Sequence, residues 1–168
     1  MPSNISVRQF LLDISFDDLP LAVIEQAKLC CYDLLGTAVG GSRSNIASII
    51  TQHALDHFAA GANITAVQPL LGGTPMSPVG AALVGATMID ALDCHDGQRN
   101  TKGHVGCSML PSLIAGLESQ SRPVMGSELI CLIVAGYEIG TRAGMALHGT
   151  VTDYHTSGAW GAVNCAAL

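Results

Sequence analysis

The stretch "GGTPMSPVGAALVGATMIDALDCHDG", residues 72–97, decides how the chain is read. Ser77-Pro78 is a helix-start signal, because proline is pre-organised for the first helical position and lacks only an N–H that would go unused there. The run that follows is built from small and apolar residues and ends in acids. This predicts a helix from about Pro78 to Leu92 that is apolar on nearly all sides and therefore buried in a larger body. On such a helix Asp90 and Asp93 stand three apart on roughly one face.

Upstream and downstream the pattern stays helical. Ser6 to Ile14 reads as a short amphipathic helix. Asp18-Leu19-Pro20 opens a longer one through Val39, with Val23, Ile24, Ala27, Cys31, Leu34 and Leu35 at helical spacing and Gly40-Gly41 as its stop. Ser44 or Asn45 caps a helix carrying Ile46, Ile49, Ile50 and Ala54 to Gly61. Residues 63–71, "NITAVQPLL", form the one strand-like run, and Pro69 makes it an edge or an irregular extended segment. A helix is expected from Pro111 to Ser119, another from Ser127 to about Leu147, and a last one from Ser157. The expected fold class is all-α, a bundle of six to seven helices forming a single helical domain over 1–168. The last helix has no glycine cap or basic last turn before Leu168, as if a longer relative continued.

Composition narrows the function classes. Charged residues make up 12% of the 168-residue chain, about half the usual ~25%, and 49% of residues are hydrophobic. A membrane span needs roughly 18 to 20 uninterrupted apolar residues, and the best candidate, 129–147, is broken by Glu138 and Arg142. Met1 to Asp13 has no apolar core or cleavage pattern of a signal peptide. The expectation is a cytoplasmic, homo-oligomeric protein, a dimer, with large buried interfaces and no membrane partner. A net charge of −6 with seven Lys+Arg speaks against nucleic acid. The six cysteines form no CxxC pair and read as free thiols.

Against that background the stretch from Asp90 to Gly106 is dense in ionisable groups: Asp90, Asp93, His95, Asp96, Arg99, Lys102 and His104. Three readings stand for it. It is a solvated loop at an exposed helix end; or a divalent-metal site, although no compact ligand motif such as HExxH is present; or an acid–base site for a carboxylate substrate, with a histidine, an orienting acid and cations. His104 precedes a helix start, where free N–H groups favour a bound carboxylate. His53 and His57 read as a surface pair, and His148 as a helix-end residue on the last carbonyls.

Four blocks carry a resemblance: residues 72–97, "KGHVGCSMLPSLIAGLE" at 102–118, "AGYEIGTRAG" at 135–144 and "DYHTSGAWGAVNCAAL" at 153–168. In order and spacing they resemble the MmgE/PrpD family, which includes 2-methylcitrate dehydratase, cis-aconitate decarboxylase and iminodisuccinate epimerase. The resemblance implies the front part of that family's helical domain without its α/β lid, a homodimer, and a lyase or isomerase that works without cofactor or metal. Its substrate would be a small di- or tricarboxylate, attacked by proton abstraction beside a carboxylate or imine. By position, Asp93 and Asp96 take the first and last acids of the D-F-D-D-like cluster, His104 the histidine of H-P-G, and His155 that of F-H-x-T-G. The family places the counterparts of Asp93, His104 and His155 in its active site. His104 and His155 would be the acid–base pair, with Asp93 orienting or charging His104. Asp96, Arg99 and Lys102 complete the expected set, the two cations on a substrate carboxylate. Cys94-His95 departs from the usual aromatic and second acid, and Val105 from the proline. The alternative is a catalytically incomplete helical fragment that serves as a dimerisation or assembly module.

Overall fold

The computed structural model describes residues 6–120 and 122–168. Three serines start helices as their hydroxyls predict. Ser6 Oγ accepts from the Gln9 N–H at the head of α1 (Val7–Asp13), Ser44 Oγ from Ala47 at α3 (Asn45–His57), and Ser77 Oγ from Gly80 at α4 (Pro78–Asp90). α2 (Leu21–Gly41) lies between the first two, and α5 (Gly106–Glu118), α6 (Gly126–Thr150) and α7 (Gly158–Ala167) follow. The described residues thus contain seven helices and no strand, an all-α fold.

Several boundaries differ from the sequence reading, each for a local reason. Asp18 caps nothing; it sits in a 3-10 turn, Phe16–Asp18, and Pro20 occupies the cap position of α2. α2 runs through Gly40-Gly41 instead of stopping there, because α4 crosses at this point. A Cβ on Gly41 would collide with the Met88 carbonyl, so the glycine serves close approach, not termination. Residues 63–71 make only an isolated antiparallel bridge, Val67 to Met76, with N–H to carbonyl distances of 2.9 and 3.0 Å. Pro69 and the turn at Gly72 leave no ladder to extend it. α5 starts five residues before Pro111 and carries that proline inside. The ring packs on Gly85 of α4, so one lost backbone bond is traded for a close helix contact.

α4 is the hub, packed on α2, α3 and α5, while α6 packs on α7, α2 and α5. One core joins Leu34 and Ala38 of α2, Ile89 of α4, Met109 and Leu110 of α5, Ile133 of α6 and Trp160 of α7. A second, of Ala54, Val67, Met76, Ala81, Val84 and Ala115, glues α3 to α4 and α5. Of the residues expected on inward faces, Ile24, Ala27, Leu34 and Ala54 are buried, whereas Val23, Ile46 and Ile49 are exposed and Ala47 points in. By length and composition alone α6 is long and apolar enough to cross a membrane. Its exposed Glu138 and Arg142 form an i,i+4 ion pair at 2.8 Å, and its small residues pack inside the bundle. All six cysteines are free thiols.

Candidate active site

α4 and α5 form a helical hairpin whose connection, residues 91–105, carries the dense ionisable stretch. α4 ends at Asp90, so Asp93 is not on its face. Asp93 takes a left-handed conformation, φ 47°, and its N–H bonds the Asp90 carbonyl at 3.0 Å. That turn folds the chain back and brings Asp93 Oδ1 to 3.7 Å from His104 Nε2. The carboxylate is 84% exposed and the imidazole 32%.

His104 is fixed on its other sides. Its Nδ1 lies 2.5 Å from the Asp96 carbonyl, which demands a proton on Nδ1 in the neutral ring and leaves the Nε2 lone pair free. Its backbone N–H donates to Ser157 Oγ at 2.8 Å. The loop between them is braced by the Gln98 N–H on the Gly103 carbonyl, 2.9 Å, and by Thr101, buried, on Gln98.

The remaining expected residues divide. Asp96 turns its carboxylate toward the start of α5, where Oδ2 accepts the Gly106 N–H at 3.4 Å. Burial pushes its pKa above the ordinary value of 3.8, against the opposing hydrogen bond from the Gly106 N–H. Asp96 Oδ1 and the Tyr137 hydroxyl are buried close to Gly106 without closing a hydrogen bond of good geometry. Arg99 and Lys102 are exposed and make no ion pair among the described residues; Lys102 is also left-handed, φ 51°. His155 is exposed on the loop between α6 and α7. Tyr154 donates to the Lys102 carbonyl at 3.2 Å and Ser157 accepts from His104, so His155 sits between two residues that touch the hairpin loop. No hydrogen bond joins its imidazole to His104 among the described residues. His148 lies in the last turn of α6 as expected but bonds the Gly144 carbonyl one turn back, not the last carbonyls, and its Nε2 also lies 3.1 Å from the His155 carbonyl.

Two further groups stand beside His104, the first a candidate from the sequence and the second not. His95, read as a departure from the family pattern, is a buried ring 4.3 Å from that of His104 and 3.5 Å from Asp90 Oδ1. Cys107, read as a buried hydrophobe, shares that corner; burial beside Asp90 and Asp96 pushes its thiol up to about 12. Ser157 was read as a helix start and, in the F-H-x-T-G-like block, as the residue in place of the threonine, but its bond to His104 was not foreseen. A groove of about 580 Å³ lies at the opposite end of α5, lined by Ile114, Leu117, Arg122 and Leu129, away from all of these groups.

A family model described as the MmgE/PrpD N-terminal domain matches residues 6–168. The chain belongs to the MmgE/PrpD family. Within it, two cis-aconitate decarboxylase sequences of Aspergillus terreus are 26% identical to this MmgE/PrpD domain over 141 residues, 82% of this chain. The chain spans 28% of the length of these curated relatives. No solved structure matches it.

Proposed function

We propose that this chain is the N-terminal helical part of an MmgE/PrpD lyase or isomerase that moves a proton at a carbon next to a carboxylate or imine of a small di- or tricarboxylate. The observation that carries this reading is the tethering of His104. With Nδ1 held on the Asp96 carbonyl, Nε2 is the free base, partly open to solvent. A proton accepted there would sit beside the Asp93 carboxylate, 3.7 Å away, while the Nδ1 tether keeps the ring in the same aim after each transfer. Arg99 and Lys102, exposed at the same loop, supply cations for substrate carboxylates and for the charge that grows as the proton leaves. His155, delivered by the Tyr154 and Ser157 contacts, is the candidate partner acid. The decarboxylase relatives favour the dehydratase or decarboxylase branch, and neither role of His104 calls for a metal or cofactor. We place the protein in the cytoplasm as a homodimer, with exposed Leu21, Leu29, Tyr32 and Ile49 covered by protein.

The test uses the complete protein that carries this chain, incubated in deuterium oxide with a panel of small di- and tricarboxylates. Proton exchange or turnover, followed by NMR, is expected for at least one of them. His104→Ala should lower that rate by about 10²–10⁴-fold, whereas His53→Ala should not. An unchanged rate in His104→Ala would overturn the assignment. The assembly-module reading is favoured by the same exposed apolar side chains, and gains if the panel shows no exchange while the protein sediments as a dimer.

A further inference from the structure

The corner behind His104 holds a second, separate constellation. A carboxylate oxygen of Asp90, a ring nitrogen of His95 and the sulfur of Cys107 all lie within 4.8 Å of one another. The His95 side chain is 0% exposed, and neither of its ring nitrogens has a hydrogen-bond partner among the described residues. A buried imidazole left this way forfeits hydrogen bonds it would make in water, a cost on the order of 1–3 kcal/mol per unpaired group. Something that takes a nitrogen lone pair would remove part of that cost, and the two neighbours that could share the task are both metal donors.

We infer that Asp90, His95 and Cys107 form a site for a borderline-soft divalent transition metal, of which zinc is the natural occupant. The donor chemistry selects this class: imidazole and thiolate suit zinc and cobalt, and a carboxylate completes the charge. A cation of charge +2 facing one carboxylate and one thiolate makes a neutral site, which a buried corner tolerates. The thiol proton passes to solvent as the metal–sulfur bond forms. Geometry is close to what is needed. With ligand bonds of about 2.0–2.3 Å, tetrahedral neighbours stand roughly 3.3–3.8 Å apart. His95 Nε2 and Asp90 Oδ1 are already 3.5 Å apart and all three donor atoms lie within 4.8 Å, so closure requires a shift of about 1.5 Å at most. Asp90 can supply it, because it is the last residue of α4 and its side chain is 67% exposed. That open side leaves the fourth position to water or a ligand carboxylate. The sequence did not show this site because its ligands stand five and twelve residues apart on two helices and the loop between them. His104 and Asp93 are not ligands, so the site stands or falls apart from the proton-transfer reading.

The test is titration of the metal-free full chain with Co²⁺, read by absorption. Expected are one bound ion per chain, the thiolate-to-cobalt charge-transfer band, the intense d–d bands of a tetrahedral site, and displacement by Zn²⁺. Cys107→Ser should abolish the charge-transfer band. His95→Gln and Asp90→Asn should weaken binding by at least the roughly 10–100-fold that even outer-shell partners cost. Cys94→Ser, at an exposed thiol beside the site, should leave the spectrum unchanged, and far-ultraviolet circular dichroism establishes that each variant is folded. No stoichiometric binding by the wild-type chain overturns the proposal. So does a charge-transfer band that survives in Cys107→Ser or vanishes in Cys94→Ser; should Cys107→Ser not fold, undiminished binding by His95→Gln and Asp90→Asn does the same.

Discussion

The backbone N–H of His104 ends on the Oγ of Ser157, 2.8 Å away and 53 residues further along the chain. This bond locks the α4–α5 loop to the start of α7. Ser157→Ala leaves a part-buried N–H without its acceptor and is expected to cost about 1–2 kcal/mol in urea unfolding. It should also speed amide exchange at His104. Unchanged stability and exchange would mean that the two segments are not held together.

Gly106 occupies the tightest point under the site. A Cβ there would stand 2.5 Å from Asp96 Oδ1 and 2.6 Å from both Leu34 Cδ1 and the Tyr137 hydroxyl. Gly106→Ala is expected to lose about 1–3 kcal/mol by overpacking. Adding Tyr137→Phe removes one of the three colliding atoms and an unpaired buried hydroxyl, so the double variant should recover part of the loss. Thermal melts of the two variants check this; no recovery would place the strain elsewhere.

Asp96 gives the chain a pH dependence whose sign follows from its burial. The folded state keeps the proton to a higher pH than the unfolded state, in which the carboxyl has its ordinary value of 3.8. The contribution of this group is therefore complete below 3.8 and is lost as pH rises through the raised folded value. Asp96→Asn keeps an acceptor for Gly106 and cannot ionise. Its stability relative to the native chain should increase as pH rises above 3.8 and level off once the carboxyl is ionised in the folded state as well, measured by urea unfolding at each pH. A difference that stays constant with pH contradicts the argument.

Leu34 is fully buried and touches both the core and the floor of the site. Leu34→Ala should cost about 3–5 kcal/mol. Because its Cδ1 abuts Gly106, the loss should be accompanied by faster amide exchange around residues 104–107, while α3 remains protected. Equal loosening of α3 would show that Leu34 acts only through global stability.

What the sequence made legible, and what it hid, follows from the range of the interactions. Ser6, Ser44 and Ser77 announce helices because a cap needs only the next three residues. Gly41 and Pro111 mislead because their roles are set by Met88 and Gly85 on a neighbouring helix, which no local rule can see. The Asp93–His104 pairing was anticipated from the family resemblance, yet its geometry rests on a left-handed Asp93 beyond the helix end, whereas periodicity placed Asp93 on the helix. Cys107 was hidden for a different reason. A cysteine on an apolar helix looks like any small hydrophobe until its neighbours in space are known.

The Ser157–His104 bond also orders events in time. The α4–α5 hairpin, with its turn at Asp93, closes through contacts near in sequence, which form quickly and at little loop-closure cost. The brace from Ser157 must wait until α6 has docked and carried the chain back. During synthesis residues 72–118 therefore leave the ribosome before the segment that fixes His104 has emerged. Histidine and aspartate meet early, and rigidity comes last.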